Sequence, residues 1–138
     1  METSSIEISR GVCEARMMIK IVIPMEPMGV NHYVRHTRAG RHYKTPEVIS
    51  FEQIGAIACR GLAVSAKEYS VTIHIYQGAK KKGDIDGYAK QTLDLLATNG
   101  VLLDKNGKHS TDAHVIELHM TKQRDRNNPR TEVIVEGL

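Results

Sequence analysis

Two hydrophobic rhythms alternate along this chain, and the switches between them mark its elements. Met18 to Met25 is rich in β-branched residues and closed by Pro24 and Pro27, which reads as a strand. Residues 26–45 hold Pro27, Gly29 and Gly40 among many polar groups, so they read as a long loop with room for a short hairpin. Thr45-Pro46-Glu47 is a helix start: a hydroxyl cap, proline at the first helical position and an acidic first turn. Val48, Phe51, Ile54 and Ala58 carry a helical stripe on towards Gly61. Glu68 to Tyr76 returns to period two, with Val71, Ile73 and Ile75 on one face and Thr72, His74 and Tyr76 on the other.

A second helix is predicted from Ile85 to Thr98. Its buried stripe is Ile85, Ala89, Thr92 and Leu96, widened by Tyr88 and Leu93, and Asn99-Gly100 ends it. Val101 to Leu103 is a short apolar run and Lys105-Asn106-Gly107-Lys108 a turn. Ala113 to Met120 reads as a strand, Arg124 to Arg130 as a turn and Thr131 to Val135 as the last strand. The order is close to βαβαβββ: a single α+β domain with one mixed β-sheet and two main helices packed on it.

With 138 residues the chain has the length of one domain with a real core. Residues 17–138 form the expected domain, and residues 1–16, polar and weakly patterned, a flexible extension or an added edge strand. The net charge of +3 does not by itself identify a polyanionic partner, so the location of the charge matters more. Cys13 and Cys59 form no CxxC and no zinc spacing, which suggests reduced thiols in a cytoplasmic protein. No apolar run approaches membrane-spanning length, and no apolar core precedes a cleavage site near the N-terminus. Neither a membrane location nor a secretory signal is expected.

The candidate chemistry is concentrated after the second long strand. Asp84-Ile85-Asp86 opens the second helix, Lys90 follows, and Asp104 and Asp112 lie across the next loop. Clustered carboxylates bind Mg²⁺ (Mn²⁺ is the alternative ion), and a nearby ammonium stabilises phosphate charge, as metal-dependent phosphodiester hydrolysis requires. On pattern alone, helix capping by Asp84 or Asp86 accounts for them equally well. Lys90 at i,i+4 from Asp86 and towards Asp94 also fits a solvated helix face. His109, His114 and His119 read as ordinary surface or partly buried histidines, and Glu47 and Glu52 as a solvated face. Two basic clusters bear on nucleic acid. Arg35, Arg38, Arg41 and Lys44 occur with interleaved tyrosines and no acid from His32 to Lys44, and Lys80-Lys81-Lys82 abuts Asp84. Cations beside an acidic metal site would grip flanking phosphates.

The ordered set resembles the RusA-type Holliday junction resolvases, a family of crossover junction endodeoxyribonucleases. The resemblance runs from Pro24 to the end. It rests on Pro27, Asn31-His32-Tyr33 and Arg35-His36, then Asp84-Ile85-Asp86, Lys90, Gly100 and Leu103-Asp104, and finally Val115-Ile116-Glu117-Leu118 with Lys122. It implies a RusA-like fold, Asp84 and Asp86 as catalytic metal ligands and Lys90 as the catalytic lysine. The family tends to carry adjacent acids after the glycine-apolar segment. Here Lys105 to Thr111 separates Asp104 from Asp112, and Asp112, entering the following strand, is the better match for the third carboxylate, with Asp104 second. Gly87 stands where the family often has asparagine. The implied function is Mg²⁺-dependent, structure-selective resolution of branched DNA by a homodimer in recombination and repair, in a family often encoded by phages. The alternatives are a non-catalytic branched-DNA-binding protein and a nuclease acting on flaps or forks.

Overall fold

Period-two burial builds the sheet. The computed structural model describes residues 17–27, 34–36, 42–78 and 85–138, with the backbone alone for 34–36, 42, 43, 85 and 86. In it β1 (Met18–Ile23), β5 (Tyr69–Gln77) and β8 (Arg130–Gly137) bury alternate residues. Ile19, Ile21, Ile23, Val71, Ile73, Ile75, Val133 and Val135 share one face and are all but inaccessible. β-branched side chains suit such a pleated, half-covered surface. With β7 (Val115–Arg124) the strand order is β1-β8-β5-β7. β8 is antiparallel to both β1 and β5, whereas β5 and β7 are parallel.

Parallel neighbours need a crossover. Here it is α2 (Ala89–Thr98), entered through a 3₁₀ turn at Ile85–Tyr88. α1 (Pro46–Ala58) and α2 lie on the same side of the sheet, where Phe51, Tyr88, Leu95 and Leu96 join the strand residues in one core. The chain is thus a single α+β domain of one mixed sheet and two helices. The other sheet face, with Lys20, Glu132, Thr72, His74 and Tyr76, carries no helix among the described residues and is partly or fully exposed.

The helix signals act locally as expected. Thr45 Oγ1 accepts the Val48 amide at 3.4 Å, and Pro46 opens α1. Val48 and Phe51 are fully buried, while Ile54 and Ala58 pack half-buried against the core. Gly55 is a further core position. A Cβ there would stand 2.4 Å from Leu95 Cδ2, so this glycine lets α1 and α2 approach closely. α2 ends in a Schellman arrangement: Val101 N donates to Leu96 O at 3.0 Å, Gly100 N donates to Ala97 O at 3.4 Å, and Gly100 has φ +68. The buried stripe of α2 contains Tyr88, Ala89, Thr92 and Leu96 as predicted, yet Gln91 and Leu95 are buried too. The helix is covered by both the sheet and α1, which widens its stripe.

Several boundaries differ from the sequence expectation. β7 reaches Arg124 because its pairing with β5 continues to Gln77, well past Met120. Ala113 is not in the strand. Asp112–His114 form a 3₁₀ turn whose Thr111 side chain accepts the Ala113 amide at 3.3 Å. β4 (Val64–Ser65) pairs in parallel with β6 (Leu102–Leu103), and at two residues it is too short to show a period. β2 (Val34–His36) and β3 (His42–Lys44) form an antiparallel pair inside the long loop. Residues 1–16 lie outside the described residues. No helix among the described residues is long and apolar enough to cross a membrane.

Candidate metal and nucleic-acid site

The expected carboxylates come from two segments. Asp84 lies outside the described residues, and Asp86 is described through its backbone in the Ile85–Tyr88 turn. Tyr88 fixes that turn: its side chain is buried, and its hydroxyl accepts from Gln77 Nε2 at 3.2 Å, tying the turn to the end of β5. The residue at the cap position of α2 is Tyr88 itself, with no side-chain cap hydrogen bond, so Asp86 is not the cap of this helix. Lys90, in the first turn of α2, pairs with Asp94 at 3.3 Å while remaining 60% exposed. This is the solvated i,i+4 arrangement that the spacing allows. Such a pair is worth only a few tenths of a kcal/mol, so its ammonium can turn to another anion at little cost.

Asp104 and Asp112 differ in what already occupies them. Asp104 follows β6, and its Oδ1 accepts the Asn106 amide at 2.8 Å and the Lys108 amide at 3.0 Å. These bonds, that of Lys108 first, hold its carboxyl below the usual carboxylate range. Asp104 closes the Lys105–Lys108 turn, with Gly107 at φ +81 completing the reversal. The Asp112 side chain is exposed on its 3₁₀ turn and makes no hydrogen bond or ion pair among the described residues. The Asp112–His114 turn lies against α2, and the Ile85–Tyr88 turn lies against β7. Each turn therefore touches the element that the other begins, and both border the seam between α2 and β7.

Among the described residues no three His, Cys, Asp or Glu side chains gather as a metal set. The two leading carboxylates of the expected set are not among those side chains. His109 covers Gly100, where a Cβ would meet its Nε2 at 2.8 Å, and His114 and His119 are exposed. Cys59 is buried, and burial pushes its thiol up to about 11, so it is a protonated core residue and not a nucleophile.

Asp104→Ala is expected to open its turn without disturbing β6. Hydrogen exchange at the Asn106 and Lys108 amides should quicken. The pH dependence has a definite sign, because folding lowers the Asp104 pKa. The contribution of its carboxylate is complete above the ordinary carboxylate pKa and is lost as pH falls through the depressed folded value. Amide exchange followed across that range checks both statements.

Of the predicted phosphate-binding cations, Lys44 has a described side chain, and it pairs with Glu52 at 2.8 Å. Arg35 is placed by its backbone in β2, and Arg38, Arg41, Lys80, Lys81 and Lys82 lie outside the described residues. Lys44, Glu52 and Asp94 line a cavity of about 460 Å³ between the helices. Lys90 on Asp94 and Lys44 on Glu52 place ion pairs beside it. Arg124 and Arg126, in a stretch that reads as a turn, fall at the end of β7 and just beyond it. The period-two spacing of Lys122 and Arg124 continues the strand to that point.

In comparisons with known proteins, no family model matches this chain, and no curated protein matches it.

Proposed function

We propose that this chain is a Mg²⁺-dependent, structure-selective endodeoxyribonuclease of the RusA type that resolves Holliday junctions by paired symmetric nicks. One observation carries most weight: Asp112 presents an unengaged carboxylate on a turn against α2, the helix that the Asp86 turn begins. Asp84, Asp86 and Asp112 would hold the metal, and Asp104, whose oxygen is taken by two amides, serves its turn. When bound, Mg²⁺ supplies an activated water and charge stabilisation at phosphate. Lys90, exposed at the start of α2, is free to exchange Asp94 for a phosphate oxygen. Arg35, Arg38, Arg41, Lys44 and Lys80 to Lys82 would grip flanking phosphates. Two copies related by a two-fold axis would cut opposing strands of a two-fold branched substrate, so a homodimer matches the task.

Cleavage of an end-labelled four-way junction with Mg²⁺ tests this. Wild type should give symmetric paired nicks, which Asp112→Asn abolishes and Asp104→Asn retains. The reverse result for the two variants would transfer the third-ligand role to Asp104. Preference for a flap or fork over the four-way junction would redirect the substrate assignment. Tight metal-independent binding without nicks would leave a non-catalytic junction-binding protein.

A further inference from the structure

We infer that Arg124 and Arg126 form a second phosphate-gripping arm, at the β7 edge of the described sheet, that holds a duplex arm of the branched DNA; this rests on the nuclease reading above. Among the described strands β7 is an outer one, paired with β5 alone, and all ten of its residues are exposed or half-exposed. Its register places Lys122 beside Ile75 and Arg124 beside Gln77. Partners in a ladder project to one face, so both cations start from the face that carries α2 and the Asp86 turn.

Gln77 is where these parts meet. Its side chain donates to the Tyr88 hydroxyl at 3.2 Å, its carbonyl accepts the Asp125 amide at 2.9 Å, and its strand neighbour is Arg124. The chain that leads to Asp84 leaves the sheet from this same end of β5. Arg124 therefore stands beside the tie that anchors the Asp86 turn, and Arg126 follows at the same corner.

Among the described residues no acid compensates Arg124 or Arg126. Asp125 is held by Arg130 at 3.0 Å, and Glu132 by Arg130 at 2.7 Å and by Lys20 at 3.5 Å. Those two acids and two bases neutralise one another, with Arg130 also lying 3.7 Å over the Tyr76 ring. Arg124 and Arg126 make no ion pair among the described residues. The one acid of β7, Glu117, lies towards the other end. Arg124 ends β7 and Arg126 follows in the adjoining turn, so the two guanidiniums are separate grips that suit successive phosphates better than a single anion. Contacts of this type fix position on the duplex and carry no sequence information.

Edge-strand cations have another common use, which is to keep edges from pairing with other chains. Salt dependence separates the two. Junction binding is measured without divalent metal from low to moderate salt, for wild type and for Arg124→Gln/Arg126→Gln. The double variant should bind more weakly, and its log–log salt slope should be shallower by about two, as expected for two lost phosphate contacts. Lys67→Gln/Lys105→Gln removes the same net charge from exposed positions elsewhere and should leave the slope unchanged. An unchanged slope in Arg124→Gln/Arg126→Gln, or an equal loss in the control pair, overturns the arm while the nuclease reading stands. Failure of the wild type to bind any DNA overturns that reading and the arm with it. Matching thermal unfolding of the variants excludes misfolding as the cause.

Discussion

Asp86→Asn is expected to lower Mg²⁺-dependent nicking of a four-way junction by about a thousandfold or more while junction binding is kept. The substitution preserves size and one oxygen acceptor but removes the negative charge that a hard cation selects. Metal-borne charge stabilisation is worth several kcal/mol, and each 1.36 kcal/mol is a factor of ten in rate. The local backbone should survive, because the Ile85–Tyr88 turn is anchored by buried Tyr88 and its bond to Gln77. A purely structural role in the turn predicts no loss, since asparagine keeps the size and an oxygen acceptor. Single-turnover nicking beside a metal-free binding assay separates the two. Full nicking by Asp86→Asn would remove this residue from the site.

The second large effect is on stability. Leu96→Ala should cost about 2–5 kcal/mol, the range for truncating a fully buried leucine. It should lower Tm by roughly 10 °C. Leu96 is inaccessible to solvent in the core, and its carbonyl accepts Val101 N in the motif that ends α2. Its loss leaves a cavity under the helix that carries Lys90 and follows the Asp86 turn. Gly55 cannot move closer to fill it, because its backbone already meets the Leu95 side chain. Chemical denaturation with an unchanged m-value would assign the loss to packing. A cost below 1 kcal/mol would mean that α1 and α2 collapse onto the gap.

Local signals were legible and long-range ones were not. Thr45-Pro46, the alternation of β5 and the Asn99-Gly100 stop each act within a few residues, so their hydrophobic and capping logic is written in the neighbouring sequence. The strand order β1-β8-β5-β7 depends on pairings between distant segments, and the short β4 carries no periodic signal at all. The end of β7 was harder to read: as an edge strand it buries no residue fully, and with only Val115 and Met120 packed partly on the core its alternation is faint. At the site, the residue types and their order pointed to carboxylate chemistry. The difference between Asp104 and Asp112 lay in hydrogen bonding. Aspartate two residues before an Asn-Gly pair is a signal for a side chain folding back on its own turn, and that is what Asp104 does.

The antiparallel pairing of β1 with β8 has a consequence for how the chain is made. Ile23 and its partner Thr131 are separated by about 110 residues, so the first strand completes its ladder only when the last has emerged. At a synthesis rate of about 5–20 residues per second, Ile19, Ile21 and Ile23 await their partner strand for roughly 5–20 s. During that interval β1 is an unpaired apolar strand, and the central position in the sheet is vacant because β8 separates β1 from β5. An apolar strand left unpaired in this way is prone to aggregate, and the closing step of folding is a non-local one, of the kind that slows small domains most.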